Sequence, residues 1–132
     1  LWSSFGLRSL ICTAPNESAL ADEAIAASKS GYAFVAQPSL KEFYEITKRA
    51  RAYVGGDTAP THLAAAAKCP VIGIFGPTEW WRNGSTDEKD VCIERTDIDC
   101  RENCHRRICG KWICMDIPVA TVLLGIQTRL GL

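Results

Sequence analysis

Gly55-Gly56-Asp57-Thr58-Ala59-Pro60-Thr61-His62-Leu63-Ala64-Ala65-Ala66-Ala67, followed by Val71-Ile72-Gly73-Ile74-Phe75-Gly76-Pro77-Thr78, decides how the rest of the chain is read. The apolar run before it, Ala52-Tyr53-Val54, is short enough for a buried strand. The Ala-rich segment after it has high helix propensity, because alanine loses no side-chain entropy in a helix. A strand, a small-residue turn and a helix point the unpaired N–H groups of the helix's first turn, and the positive end of its dipole, at an anion. Gly55 and Gly56 are expected to let the backbone turn sharply, Thr58 offers a hydroxyl, and His62 stands one turn into the helix. The stretch reads as a phosphate-binding helix start. The same residues also fit a plain helix start, with Asp57 or Thr58 as N-cap, Pro60 as a first-turn proline and His62 at the surface.

Working outward, Arg8–Thr13 reads as a short buried strand and about 17–29 as an amphipathic helix, with Leu20, Ala24 and Ala27 on one stripe. Ser30-Gly31 stops that helix. Ala33–Ala36 is a second strand. Ser39-Leu40-Lys41-Glu42 has the capping-box pattern and opens a helix expected to run to about Arg51. Ala52–Val54 is the third strand and about 60–68 the third helix, ended by Cys69-Pro70 because a residue before proline is pushed out of helical geometry. Val71–Phe75 is the fourth strand. Glu79–Ser85 reads as a loop carrying Trp80 and Trp81, Val91–Glu94 as a fifth strand, and about 117–130 as a closing helix with Asp116 as its cap and Pro118 in its first turn.

Strands and helices thus alternate, and the strands are continuous apolar runs. That pattern predicts an α/β fold with a parallel sheet buried on both faces and helices as crossovers. Ligands in such sheets bind beyond the carboxyl ends of the strands. The expectation is that Pro15-Asn16-Glu17, Gln37-Pro38-Ser39, Asp57-Thr58-Ala59 and Gly76-Pro77-Thr78 share one edge.

The totals set bounds. A chain of 132 residues, 47% hydrophobic and 23% charged, is expected to form one globular domain spanning 1–132. Its formal net charge of zero speaks against nucleic acid as a partner. No apolar run reaches the ~18–20 residues of a membrane span. The start at Leu1-Trp2, without Met or a signal pattern, is what a fragment of a longer protein would show. Seven cysteines cannot all pair within one chain. Cys12 and Cys69 read as small buried thiols, whereas the other five fall within 92–114.

From Gly56-Asp57-Thr58-Ala59-Pro60-Thr61-His62-Leu63-Ala64 through Val71–Phe75 to Gly76-Pro77-Thr78, the chain resembles glycosyltransferase family 9, the heptosyltransferases of lipopolysaccharide core synthesis. The family pattern is Asp-Ser/Thr-Gly-x-x-His-x-Ala, then an apolar strand ending Phe-Gly-Pro-Thr. The resemblance covers most of 8–130. It implies a Rossmann-like half of a two-domain GT-B enzyme, the C-terminal half that binds the nucleotide-sugar donor. It also implies transfer of a heptose from an ADP-heptose, with inversion and without a metal, to a lipopolysaccharide-type acceptor held by an N-terminal domain outside this chain.

By the same resemblance, backbone groups of Thr58 and Ala59 and the side chain of His62 would hold the donor diphosphate. Asp57 would orient the turn, Glu17 would face the ribose hydroxyls, Gln37–Leu40 would lie near the base, and Thr78 would join the substrate-binding set. No catalytic residue is assigned, since the family's general base lies in the other domain, and the fragment alone is expected to bind donor without transferring sugar. The implied location is the cytoplasm, peripheral to the inner face of a bacterial inner membrane. Ala59 stands where the family carries Gly, Pro60 lacks an N–H, and Glu79-Trp80-Trp81 replaces the usual Asp/Pro-rich continuation.

Cys100-x3-Cys104-x4-Cys109-x4-Cys114 supplies four thiols that could make a tetrahedral zinc site, with disulfides or free thiols as the alternatives. Arg101, His105, Arg106, Arg107 and Lys111 could contact acceptor phosphates or lipid headgroups. Interspersed with Asp97, Asp99 and Glu102, they also fit a solvated charged face. Two other functions stay open: the same fold with a UDP- or GDP-sugar donor, and a zinc-bearing interaction module centred on 92–114.

Overall fold

The computed structural model describes residues 1–101, 104 and 108–132. Its elements are α1 (Trp2–Phe5), β1 (Ser9–Cys12), α2 (Ser18–Ala27), β2 (Ala33–Ala36), α3 (Leu40–Thr47), β3 (Tyr53–Gly55), α4 (Ala59–Ala66), β4 (Val71–Phe75), α5 (Trp80–Asn83), β5 (Val91–Glu94) and α6 (Val119–Leu130). Single 3-10 turns lie at Pro15–Glu17, Asp99–Arg101 and Ile113–Met115. The chain divides into two compact units, Leu1–Phe43 and Tyr44–Leu132. The fold is α/β with parallel sheets flanked by helices, as the strand–helix alternation predicts. No helix among the described residues is long and apolar enough to cross a membrane.

In the first unit β1 and β2 pair in parallel, Leu10 opposite Phe34 and Ile11 opposite Val35. The loops after β1 and β2 therefore leave the same edge of this two-stranded sheet. Helix α2 begins one residue later than expected, at Ser18, because Pro15–Glu17 first makes a 3-10 turn in which Ala14 N–H donates to Glu17 Oε2 at 3.0 Å. The capping box at Ser39 forms as its sequence predicts. Ser39 N–H donates to Glu42 Oε2 at 2.8 Å and Glu42 N–H to Ser39 Oγ at 3.3 Å. The Ser39 hydroxyl and then its backbone N–H hold the Glu42 carboxyl below its ordinary pKa. Buried sheet faces were expected here, yet Leu10, Phe34 and Val35 are exposed.

In the second unit the sheet order is β3-β4-β5, all parallel. Val71, Ile72 and Phe75 of β4 are fully buried because this central strand is covered on both faces. On one face, Val71 packs with Ala64 and Cys69, against Ala50, Tyr53, Ala65 and Trp80. On the other, α6 comes close at Gly125, where a Cβ would meet Ile93 Cδ1 at 2.8 Å and Ile72 Cγ2 at 3.4 Å.

Three boundaries differ from expectation for identifiable reasons. Helix α3 ends at Thr47 rather than Arg51. The Thr47 hydroxyl donates to the Tyr44 carbonyl, and the N–H groups of Arg49 and Ala50 both turn back to Ile46. The stretch expected as a loop at 79–85 holds α5, anchored by Trp80, whose ring packs edge-on to Phe75 with centroids 5.1 Å apart. Pro118, not Asp116, is the N-cap of α6.

Gly73 sits under that Trp80 ring. A Cβ there would strike Trp80 and come within 2.9 Å of Phe75. Gly73→Val is therefore expected to cost about 1–3 kcal/mol by overpacking a covered face, read as a lowered urea midpoint at unchanged slope. A midpoint shift worth less than ~0.5 kcal/mol would contradict this packing.

Candidate functional site

The turn between β3 and α4 is held from inside. Thr58 N–H donates to the Gly56 carbonyl at 2.9 Å, and the hydroxyl of Thr61 donates to the same oxygen. Thr61 Oγ1 also lies 3.3 Å from the Tyr53 hydroxyl, and Thr61 N–H returns to the Thr58 carbonyl at 3.0 Å. Thr61 is buried, so one side chain on the first turn of α4 fixes the glycine turn in place. Neither Gly55 nor Gly56 has positive φ. The expectation that they serve a sharp turn is corrected: the Tyr53 ring occupies the space a Gly55 Cβ would need, so the requirement is for room.

The groups expected to hold an anion stand as follows. Thr58 is the N-cap of α4, yet its side chain makes no capping hydrogen bond, which leaves the hydroxyl available. Its own N–H is taken by Gly56. Ala59 opens the helix, and among the described residues its N–H takes part in no hydrogen bond. Among the described residues, the non-glycine residues with positive φ are Lys68 and Trp112. Ala59 thus occupies the family's glycine position without backbone strain, and Pro60, one residue in, is at a position that tolerates proline. Helix α4 runs from Ala59 to Ala66, so its dipole and its orphan donors converge on this turn.

Asp57 joins the turn to α5. Its Oδ2 accepts from Asn83 Nδ2 at 2.9 Å, and its Oδ1 lies 3.6 Å from His62 Nε2, an ion-pairing distance longer than a hydrogen bond. The Asp57 side chain is 20% exposed and that of His62 is 55% exposed. A partly buried carboxylate thus faces an accessible imidazole. Asn83 was not anticipated, because it lies in a segment read as a loop and 26 residues away. Thr61 was missed because a threonine inside a helix start carries no signal beyond its neighbours.

The loop after β4 is also pinned. Arg101 Nε donates to the Gly76 carbonyl at 3.2 Å and its Nη2 reaches the Thr78 carbonyl at 3.4 Å, while the guanidinium pairs with Glu94 at the end of β5. The Arg101 side chain is 12% exposed. It is therefore neither a free phosphate contact nor part of a solvated face, which corrects both readings: burial against two carbonyls and a carboxylate uses its donors. Lys111 is exposed, and His105, Arg106, Arg107 and Glu102 lie outside the described residues. Arg101→Ala should destabilise the chain by about 1–3 kcal/mol, since it leaves Glu94 unpaired and two carbonyls without donors. It should also speed amide exchange through 76–79. Unchanged exchange there would refute the pinning.

Glu17 and the Gln37–Leu40 loop belong to the first unit, each at the carboxyl end of one of its strands. Glu17 uses one carboxylate oxygen to close its own turn.

Cys12, Cys69, Cys92, Cys100, Cys104 and Cys114 are free thiols. Cys100 is exposed, Cys114 is buried, and among the described residues no three His, Cys, Asp or Glu side chains are grouped to hold a metal. Zinc content after purification without chelator is the direct measurement. Burial, followed by the Asp90 charge, pushes Cys69 up to about 11, and burial, followed by the Glu94 charge, pushes Cys92 up to about 12. An unfolded thiol ionises near ~8.5, so these two contribute stability below that pH which is lost as pH rises toward their folded values. At pH 8 a disulfide reagent should label Cys100 quickly and reach Cys69 and Cys92 only on unfolding. Rapid labelling in the folded chain would contradict the burial of Cys69 and the half-burial of Cys92.

A family model described as glycosyltransferase family 9 (heptosyltransferase) matches residues 6–112. Neither the curated proteins nor the solved structures gave a match.

Proposed function

The chain belongs to glycosyltransferase family 9, and on that premise we propose that it is the donor-binding half of an enzyme moving a heptose from an ADP-sugar, with inversion, to a lipopolysaccharide-type acceptor. The observation that carries the reading is the open start of α4: an unbonded Ala59 N–H, an uncommitted Thr58 hydroxyl and a His62 imidazole braced by Asp57. As the sugar–phosphate bond breaks, the departing nucleoside diphosphate gains negative charge. Fixed N–H donors and a helix dipole aimed at that charge stabilise it without reorganising.

In this reading Asp57, Thr58, Ala59 and His62 serve the diphosphate. The resemblance alone supports Glu17 for the ribose hydroxyls and Thr78 for the sugar side, and the general base belongs to an acceptor domain outside this chain. Use of a nucleotide sugar places the enzyme in the cytoplasm. Phosphate contacts do not read the base, so a UDP- or GDP-sugar is the competing donor.

Calorimetric titration of the chain with ADP, UDP and GDP tests this. Preferential binding of ADP is expected. A preference for UDP or GDP would keep the fold and change the donor, whereas no binding of any of the three at millimolar concentration would remove the α4 turn as a diphosphate site.

A further inference from the structure

Asn83-Gly84 is the one Asn-Gly pair in the sequence, since Asn16 precedes Glu17 and Asn103 precedes Cys104. An asparagine before glycine is the pairing most open to attack on its side-chain amide by the next backbone nitrogen, because glycine carries no Cβ to hinder the approach. The fold fixes both members. A Cβ at Gly84 would strike Trp80 Cδ2 and lie 2.6 Å from the Trp80 carbonyl, so any side chain there would force the turn apart. Asn83 Nδ2 donates to Asp57 Oδ2 at 2.9 Å, a bond that an ionised aspartate at 83 could not supply. Tertiary contacts thus hold a chemically labile pair one hydrogen bond from the turn that opens α4.

Closed, α5 resists the reaction. The Asn83 amide is engaged by Asp57, and Gly84 N–H is committed to the Trp80 carbonyl. Yet α5 is a single turn, Trp80–Asn83, tied further by the N–H groups of Arg82 and Asn83 to the Glu79 carbonyl at 3.2 and 3.1 Å. Its Trp81 and Arg82 are exposed, and so short a helix costs little to open. In the opened turn the Gly84 nitrogen attacks Asn83 Cγ and gives up its proton. The new N–C bond forms as the Cγ–Nδ2 bond breaks, and ammonia leaves. Water then opens the cyclic imide at either carbonyl, which yields aspartate or isoaspartate at 83. Nothing is oxidised or reduced, and water is the co-reactant. Either product removes the Nδ2 donor and adds a negative charge beside Asp57, where like charges repel. We propose that Asn83 is a spontaneous deamidation site whose conversion releases α5 from the α4 turn. The inference does not rest on the donor reading.

Incubation of the 132-residue chain at mildly alkaline pH, followed by tryptic mapping, tests it. Cleavage after Arg82 and Lys89 gives a peptide that begins at Asn83 and reports the site directly. That peptide should gain the mass of an amide-to-acid exchange, take up oxygen from labelled water and accept a methyl group from an isoaspartyl methyltransferase. Peptides holding Asn16 and Asn103 should stay unchanged over the same time, and Asn83→Ser should abolish the signal at 83. The folded chain should convert roughly tenfold to a hundredfold more slowly than the chain in urea, the factor set by opening one turn. Asn83→Asp stands in for one product. Its urea midpoint should fall below that of Asn83→Ser, which removes the donor without adding charge, and amide exchange through 80–84 should speed.

An unconverted Asn83 peptide from the folded chain, or conversion of Asn16 or Asn103 at the same rate, would overturn the proposal. So would Asn83→Asp with the midpoint and exchange of the unaltered chain. Protection of Asn83 as strong as the global stability of the chain would also overturn it, because α5 would then not open on its own. Nucleotide titration separates the two readings: a chain that binds no nucleotide yet converts at Asn83 leaves this inference standing.

Discussion

Asp90→Ala should lower the stability of the chain by about 3–5 kcal/mol, the cost typical of removing one partner from a buried ion pair. Asp90 precedes β5 with its side chain only 2% exposed. Its Oδ1 accepts from Val71 N–H, the first residue of β4, at 2.8 Å, and from Arg129 Nε, in the last turn of α6, at 2.7 Å. One carboxylate thus joins the start of the central strand to the end of the covering helix. Truncation leaves a guanidinium that is 13% exposed with only its outer partner Asp87, and the Val71 backbone N–H without its acceptor.

Asp90→Asn retains an acceptor for one of the two donors and should cost less, about 1–3 kcal/mol. Asp87→Ala removes only the outer partner of Arg129, at 3.3 Å and 53% exposed, and should cost under ~1 kcal/mol. Urea denaturation of the three variants reads this order. If Asp90→Ala lost no more than Asp87→Ala, the clamp would not be what holds α6 to the sheet.

His62→Ala should weaken ADP binding roughly tenfold to a hundredfold, the range for one charge-assisted hydrogen bond of about 1.5–3 kcal/mol. At 55% exposure the side chain supports little packing, so the urea midpoint should hardly move. Asp57→Asn should act on affinity mainly through His62, because the carboxylate bonds Asn83 and faces the imidazole. A carboxylate touching the diphosphate itself would only repel it. The two substitutions should therefore be non-additive, Asp57→Asn having little further effect once His62 is alanine. Equal effects of Asp57→Asn in both backgrounds would show that Asp57 acts on the turn alone. An affinity unchanged by His62→Ala would take the imidazole out of the diphosphate site.

Much of the second unit was legible in the sequence because its signals are local. Val71–Phe75 and Val91–Glu94 are apolar runs bounded by turn residues, and both strands fall where those runs do. The capping box at Ser39 and the helix opening at Ala59 follow from backbone donors seeking nearby acceptors, which residue types three or four apart supply. Helix α5 was not legible. Trp80-Trp81-Arg82-Asn83 has no helical periodicity over four residues, and what holds it is the Trp80 ring against Phe75 and over Gly73. The end of α3 was missed because Thr47 turns its hydroxyl back to the Tyr44 carbonyl, a choice its sequence neighbours do not force.

By itself, then, the sequence determined the α/β class and the strand–turn–helix that opens at Ala59, where the residues proposed to meet an anion stand. Tertiary structure decided what braces them. Asn83 reaches Asp57 from 26 residues away, and Arg101 reaches Gly76 from 25 away. Thr61 and Tyr53 close on Gly56 only once α4 has packed on β3. Backbone preferences act over a few residues and leave their mark in local pattern. A donor committed to an acceptor on another element does so only after both elements have been buried together, and no spacing along the chain records that meeting.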